Sequence, residues 1–262
     1  MAGIVVVFDF DKTIIDVDSD NWVVDGLGAT EEFERLLPTM PWNTLMDTMM
    51  GELHASGKSL ADVAGVLRPA TAWAATSGDP QRRQPRSSSS TILDHHGLTG
   101  YFSEINTNPS AVDAATGRLR IAPYHDFHAG PHGCGLGICP PNMCKGQVLD
   151  RIRASAGAAG KRVIYLGDGR GDYCPSLRLG RDDFMMPRRG FPVWELICED
   201  PSLLHAEVHS WADGAEMEET LLRLVGRVLL EERNLPPLDC KLESLPAVAV
   251  QDGMPMTLRI KN

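Results

Sequence analysis

Two short apolar runs, each ending in aspartates, constrain this chain more than anything else in it. Ile4-Val-Val-Val-Phe8 leads into Asp9-Phe10-Asp11, and Arg162-Val-Ile-Tyr-Leu-Gly167 leads into Asp168-Gly-Arg-Gly-Asp172. Neither run alternates apolar with polar residues, so each reads as a strand buried on both faces of a parallel sheet. The C-terminal ends of such strands are where open α/β sheets bind ligands. Asp9 and Asp11, at the ~4–5 Å such neighbours can reach, repel each other unless a cation lies between them. A hard divalent ion meets that need. Mg²⁺ takes oxygen ligands, commonly one or two carboxylates, and bridges to substrate phosphate.

Between the two runs the pattern changes repeatedly. From Trp22 to about Ala64 apolar residues recur at helical spacing, interrupted at Pro38 and Pro41, which predicts a small helical insertion after the first strand. Arg68 to Ser90 has almost no aliphatic residues and nothing to give a core. Thr91 to Leu98 reads as the end of a helix, Tyr101 to Ile105 as a short strand, and His125 to Cys144 as a long loop. Lys145 to Ala156 reads as a helix, and Leu221 to Glu232 as an amphipathic one. The division expected is a catalytic core over 1–20 and 91–235, a helical cap over 21–67, an aberrant segment over 68–90, and a tail over 236–262.

Composition narrows the partners. Against 25 Lys and Arg stand 35 Asp and Glu, a formal net charge of −10, so the surface as a whole repels nucleic acid and anionic lipid. An anionic ligand then needs a local cation, and Lys145, leading a helix, is a candidate. No window approaches the roughly 18 apolar residues of a membrane span. The run Ile4 to Phe8 is too short for a signal peptide. Six cysteines without a secretory signal read as reduced thiols, which makes a cytoplasmic location the default expectation. Oligomeric state is open.

Several strings carry a family resemblance. Asp9-Phe-Asp11-Lys-Thr13, Lys145 and Gly167-Asp168-Gly-Arg-Gly-Asp172 resemble the first, third and fourth motifs of the haloacid dehalogenase superfamily. Asp16-Val-Asp-Ser-Asp20-Asn-Trp-Val, Phe102-Ser-Glu-Ile-Asn-Thr-Asn-Pro109, Cys139-Pro-Pro-Asn-Met-Cys-Lys-Gly146 and Tyr165-Leu-Gly-Asp-Gly-Arg-Gly-Asp-Tyr-Cys-Pro175 narrow it. They resemble the family of vertebrate phosphoethanolamine/phosphocholine phosphatases and plant inorganic pyrophosphatase-like proteins.

The resemblance implies an α/β fold, a Rossmann-like core with a parallel sheet and a small helical cap. It also implies a Mg²⁺-dependent phosphatase. Asp9 would attack phosphorus to form an aspartyl-phosphate, Asp11 would act as general acid and base, and Lys145 would hold nucleophile and phosphate by charge. Mg²⁺ would be held by Asp9, Asp11 (through its backbone carbonyl) and Asp168, with Asp172 in support. Thr13 and Asp20 would contact substrate, Asp20 at its far end; a simple helix N-cap is the alternative for Asp20. Phosphocholine, phosphoethanolamine, pyrophosphate and thiamine monophosphate are the candidate substrates.

The second motif departs from this pattern. The resemblance places there a strand reading Gly-Cys-Asp-Leu-Arg-Ile-Val-Ser-Asp-Ala-Asn, whose Ser donates to the transferring phosphoryl group, just before Thr91. This chain has Trp73-Ala-Ala-Thr-Ser77 and Gln81-Arg-Arg-Gln-Pro85 instead. Codons for Met-Gly-Cys-Asp-Leu-Arg, read one frame over, spell Trp73-Ala-Ala-Thr-Ser77, and those for Ser-Asp-Ala-Asn-Arg preceded by C spell Gln81-Arg-Arg-Gln-Pro85. Trp73 to about Ser89 thus reads as an out-of-frame rendering of the motif, and a catalytically impaired relative that binds phosphate or a partner is the alternative function. Finally, His125, His128, His132, Cys134, Cys139 and Cys144 crowd one loop. The cysteines are evenly spread and lack close C-x₂-C pairs, so the loop is read as lining a substrate entrance rather than as a zinc site.

Overall fold

The computed structural model describes residues 3–70 and 88–234. Its centre is a parallel sheet ordered β1 (Ile4–Phe8), β4 (Arg162–Gly167), β5 (Phe184–Pro187), β6 (Glu207–Val208). Val6 pairs with Ile164, Tyr165 with Met185, and Met185 with Val208. From Val163 to Gly167, β4 is fully buried. Its alternating side chains feed two cores, as the strand period of two requires. Val163 and Tyr165 meet Leu149, Leu179, Val193 and Ile197 on one face. Ile164 and Leu166 meet Trp211, Leu224 and Val228 on the other. Leu149 comes from α6 (Lys145–Ala154), Val193 and Ile197 from α8 (Pro192–Glu199), and Leu224 and Val228 from α9 (Gly214–Asn234). The sheet is thus covered on both sides, and the unalternating apolar run of β4 follows from that.

The helical insertion after the first strand consists of α1 (Ser19–Gly26), α2 (Thr30–Leu36), α3 (Trp42–Ala55) and α4 (Leu60–Leu67). Both prolines act as punctuation: Pro38 lies in a 3₁₀ turn over Leu37–Thr39, and Pro41 is the N-cap of α3. Leu45, Met46, Met49, Val24 and Leu67 form a separate core with Ile92 and Leu93 of α5 (Ser88–His95). Ser59 and Asp62 close a reciprocal capping box on α4. A hairpin of β2 (Ser110–Val112) and β3 (Leu119–Ile121) docks on α3 through Asp47, whose carboxylate accepts from Ile121 N (2.8 Å), Arg118 Nη2 (3.0 Å) and Arg120 Nε (3.0 Å). None of the described helices is long and apolar enough to cross a membrane.

One expected element is absent among the described residues. Tyr101 to Ile105 is not a strand: Thr99–Tyr101 closes a 3₁₀ turn, and the chain over 102–109 has no ladder partner. Side-chain bonds anchor the stretch that follows. Asn108 Oδ1 accepts from Tyr124 N and Asn142 Nδ2, both at 3.1 Å, and Asn106 Oδ1 accepts from the Tyr124 hydroxyl at 3.2 Å. Most of the segment read as out of frame, and the tail beyond Pro236, lie outside the described residues, while Ser88 to Ser90 open α5.

Trp211 locks the sheet to α9, fully buried and donating from Nε1 to Met186 O at 3.0 Å. Trp211→Ala should lower unfolding free energy by about 3–5 kcal/mol. Urea unfolding checks this, and a loss below about 1 kcal/mol would contradict this packing.

Candidate active site

Three neighbouring parallel strands each deliver a charged residue just past their C-terminal ends: Asp9 after Phe8, Asp168 after Gly167, and Arg188 after Pro187. Asp9 N donates to Leu166 O at 2.8 Å, which continues the ladder and fixes where its carboxylate emerges. Asp172 follows on the 3₁₀ turn Arg170–Asp172. Its packing demands glycine at 167, where a Cβ would stand 2.4 Å from Asp172 Cγ.

These elements bring Asp9, Asp168 and Asp172 together, with a carboxylate oxygen of each within 4.8 Å of the others. At the effective dielectric suited to protein sites, two ionised carboxylates that close repel by at least about 3 kcal/mol. Lys145, the first residue of α6, answers part of that charge. Its Nζ lies 2.7 Å from Asp9 Oδ1 and 2.9 Å from Asp172 Oδ1. Burial works against the ammonium, but Asp172 and Asp9 outweigh it and hold Lys145 firmly protonated. The donor set left for a metal is oxygen only, which fits a hard cation rather than a soft one. Asp172 is the most committed of the three, because Oδ1 also accepts from the Tyr165 hydroxyl (2.7 Å) and Oδ2 from Gly169 N (2.9 Å). Asp9 and Asp168 therefore have more lone-pair capacity for an ion, and Thr13 Oγ1 steadies Asp168 at 3.3 Å.

A second acidic group lies across a cleft of about 690 Å³ that Asp9, Asp11, Asp20, Trp42, Lys145 and Asp168 help to line. Asp11 Oδ1 accepts from Ser19 N at 2.9 Å. Burial, then Asp20 and Asp18, raise its carboxyl well above the usual range, which favours the protonated acid. Asp20 does not cap a helix. Asp18 is the N-cap of α1, accepting from Asn21 N at 3.0 Å, and this frees Asp20 to accept from Trp42 Nε1 at 2.9 Å. Burial lifts Asp20 to about 6, against the stabilising bond from Trp42. Ser88 and Ser89 line the same cleft.

The structure thus gathers Asp9, Thr13, Lys145, Asp168 and Asp172 at one strand edge, with Asp11 and Asp20 in the same cleft. Reading the sequence alone misses Arg188. Its Nη1 donates to Lys12 O at 2.7 Å, its Nη2 pairs with Asp16 at 2.6 Å, and its guanidinium stacks 4.3 Å from the Phe191 ring. That clamp holds the loop after β1 in place where Lys12 takes a left-handed φ of 53°. The only signal in the sequence is the strand Phe-Met-Met-Pro before it, too short to read by periodicity.

Asp168 and Asp172 are both raised, mainly by burial and then by the charge of Asp9. With Asp11 and Asp20 also raised, the folded protein binds more protons here than the unfolded chain, whose aspartates titrate near 3.9. The stability these groups add is present below about pH 4 and is lost as pH rises; for Asp20 the loss runs through about 6. In thermal melts without added Mg²⁺, the unaltered chain should lose more Tm, or gain less, between about pH 5 and about pH 8 than Asp20→Asn. That difference sets aside His95, His125 and His209, whose lowered proton affinity acts the other way. Adding Mg²⁺ should raise Tm more at the higher pH. No such difference and no response to Mg²⁺ would contradict this electrostatic balance.

The family model described as Putative Phosphatase matches residues 4–76 and 88–225, with a break over 77–87. Inorganic pyrophosphatase 2 of Arabidopsis thaliana is 52% identical over 244 residues, covering 88% of this chain and 86% of its own length. Phosphoethanolamine/phosphocholine phosphatase of Homo sapiens is 32% identical over 237 residues, covering 80% of this chain and 85% of its own. A crystal structure of a HAD family hydrolase from Salmonella enterica subsp. enterica serovar Typhi superposes with a TM-score of 0.51 at 17% identity. The superposition covers 86% of this chain and 72% of that one, a likeness of fold.

Proposed function

We propose, on the premise that this chain belongs to the Putative Phosphatase family, that it is a haloacid dehalogenase-type phosphatase hydrolysing a small phosphorylated metabolite through Asp9. The observation that carries this reading is Lys145 Nζ, at 2.7 Å from Asp9 and 2.9 Å from Asp172, in a cluster that Asp168 completes. A cation beside a strand-end carboxylate, in a site that still carries excess negative charge, suits a phosphoryl group delivered with a divalent ion.

In this mechanism an Asp9 oxygen attacks phosphorus, and the bond from phosphorus to the leaving oxygen breaks. Asp11 hands that oxygen its proton, a task for which its raised affinity for protons suits it. The resulting Asp11 carboxylate then takes a proton from water, whose oxygen attacks phosphorus. The bond to Asp9 breaks, inorganic phosphate leaves, and both aspartates return to their starting states. Splitting the hydrolysis in two replaces one difficult step with two easier ones.

Lys145 orients the nucleophile and draws the phosphate oxygens, and Asp172 holds Lys145 in place. Asp9, Asp168 and the Asp11 backbone carbonyl would hold Mg²⁺. When bound, the ion offsets the repulsion between an anionic phosphate and the carboxylates. Thr13 steadies Asp168. Asp20, beside the Trp42 indole, offers an anionic and aromatic wall to a cationic far end, such as the ammonium of phosphocholine or phosphoethanolamine. Pyrophosphate and thiamine monophosphate complete the set of substrates to compare. The core at 1–20 and 91–235 supplies the chemistry, and the helices within 21–67 shape the substrate pocket.

Phosphate release measured with and without Mg²⁺ across those four substrates tests this reading. Asp9→Asn keeps an acceptor for Lys145 and the shape of the side chain, so it should fold normally. Its turnover should drop by at least about 10³-fold. Undiminished turnover in that variant would contradict the nucleophile assignment. The break in the family match over 77–87 favours one other reading, a relative that binds without turnover. Mg²⁺-dependent release by the unaltered chain would contradict that alternative.

A further inference from the structure

Four cysteines that the proposed phosphatase chemistry does not use converge behind Lys145. Cys134 and Cys139 lie on the long loop before α6, Cys144 is the N-cap of α6, and Cys174 lies on the short helix α7 (Tyr173–Ser176). All four sulfurs lie within 4.8 Å of one another, and Cys144 and Cys174 are fully buried. The edges Cys139–Cys144, Cys134–Cys139, Cys134–Cys174 and Cys144–Cys174 measure 3.5, 3.6, 3.7 and 3.7 Å. Sulfurs bound about 2.3 Å from a tetrahedral Zn²⁺ stand about 3.8 Å apart. A disulfide would need about 2.05 Å, and all four of these thiols are free. Two buried and two partly buried thiols at these spacings therefore match the corners of a metal-centred tetrahedron rather than a disulfide pair.

We infer that Cys134, Cys139, Cys144 and Cys174 bind one structural Zn²⁺, which braces the loop to α6 and α7.

Four thiolates close the tetrahedron and leave no open position for a substrate, the mark of a structural site. The surroundings suit the net negative charge of such a centre. Arg178 Nη2 donates to Cys134 Sγ and Gln147 N to Cys144 Sγ, each at 3.4 Å, the second from the N-terminal turn of α6. Gly146 leaves the space: a Cβ there would come within 2.5 Å of both Cys174 Sγ and Arg178 Nε. His132 lies outside the set of ligands, its Nδ1 accepting from Cys134 N at 3.2 Å. The placement also explains why a loop from about 123 to 144 keeps a defined path without regular structure. The ion would sit one residue from Lys145 and two from Asp172, so it would fix the spacing of the pair that holds Asp9.

Sequence spacing cannot reveal this site, because Cys174 comes 30 positions after Cys144. Once Cys174 is added, the thiols read as a metal anchor rather than as incidental, within a loop whose Pro140, Asn142 and Met143 line the cleft as expected.

Metal analysis of the purified full-length chain, prepared without added zinc, tests the inference. About one zinc per chain is expected, released when a mercurial titrates the thiols. Cys139→Ser and Cys174→Ser should lose that zinc, while Cys198→Ser, at an exposed cysteine outside the cluster, should keep it. Should the serine variants fail to fold, Co²⁺ exchanged into the unaltered chain serves instead. It should give thiolate-to-cobalt charge-transfer bands and the visible bands of tetrahedral cobalt. The oxygen ligands at Asp9 cannot produce thiolate bands, so this result stands or falls apart from the phosphatase reading. Zinc well below one per chain with four reactive thiols would overturn the inference. Disulfides among these cysteines, or a different bound metal, would overturn it too.

Discussion

The contact of Lys145 Nζ with Asp9 and Asp172 is the interaction on which the rest of the site depends. It joins the end of β1 to the turn after β4 and to the first residue of α6, three pieces far apart in sequence. Without that ammonium, three carboxylates within 4.8 Å would drive the strand ends apart or take up protons. With it, the cluster still carries more negative than positive charge. That surplus makes the site receptive to a divalent ion and, with the ion, to phosphate.

The strand ends and their aspartates were legible because a buried parallel strand has an unmistakable composition, and because polar residues placed just past it have few structural uses. Lys145 was legible from its place at the head of a predicted helix. Other features were not. Tyr101 to Ile105 has the residue types of a strand, but Tyr101 closes a 3₁₀ turn, and Asn106 and Asn108 pin the stretch after it by side-chain bonds, neither of which periodicity can express. Strand β5 holds four residues and ends in proline, so Arg188 at its tip went unread. The cap reading of Asp20 fails because Asp18, two positions earlier, takes the cap. The family resemblance supplied roles; it did not supply these contacts.

Support for the site comes from two places. Arg188, stacked on Phe191 and near Trp211, grips the loop after β1 from the sheet. The four cysteines tie the head of α6 to α7, one residue from Lys145 and two from Asp172. Both devices act on backbone position, which suits a reaction in which displacement of the attacking group by about 1 Å can cost about 10²-fold in rate.

The central claim is that Asp9 carries the phosphoryl group between substrate and water. Rapid acid quenching during turnover, followed by mass spectrometry of the digested chain, tests it most directly. Phosphate should appear on the peptide containing Asp9, formed and lost at the rate of turnover. Steady release of phosphate with no phosphorylated Asp9 peptide at any time point would contradict it.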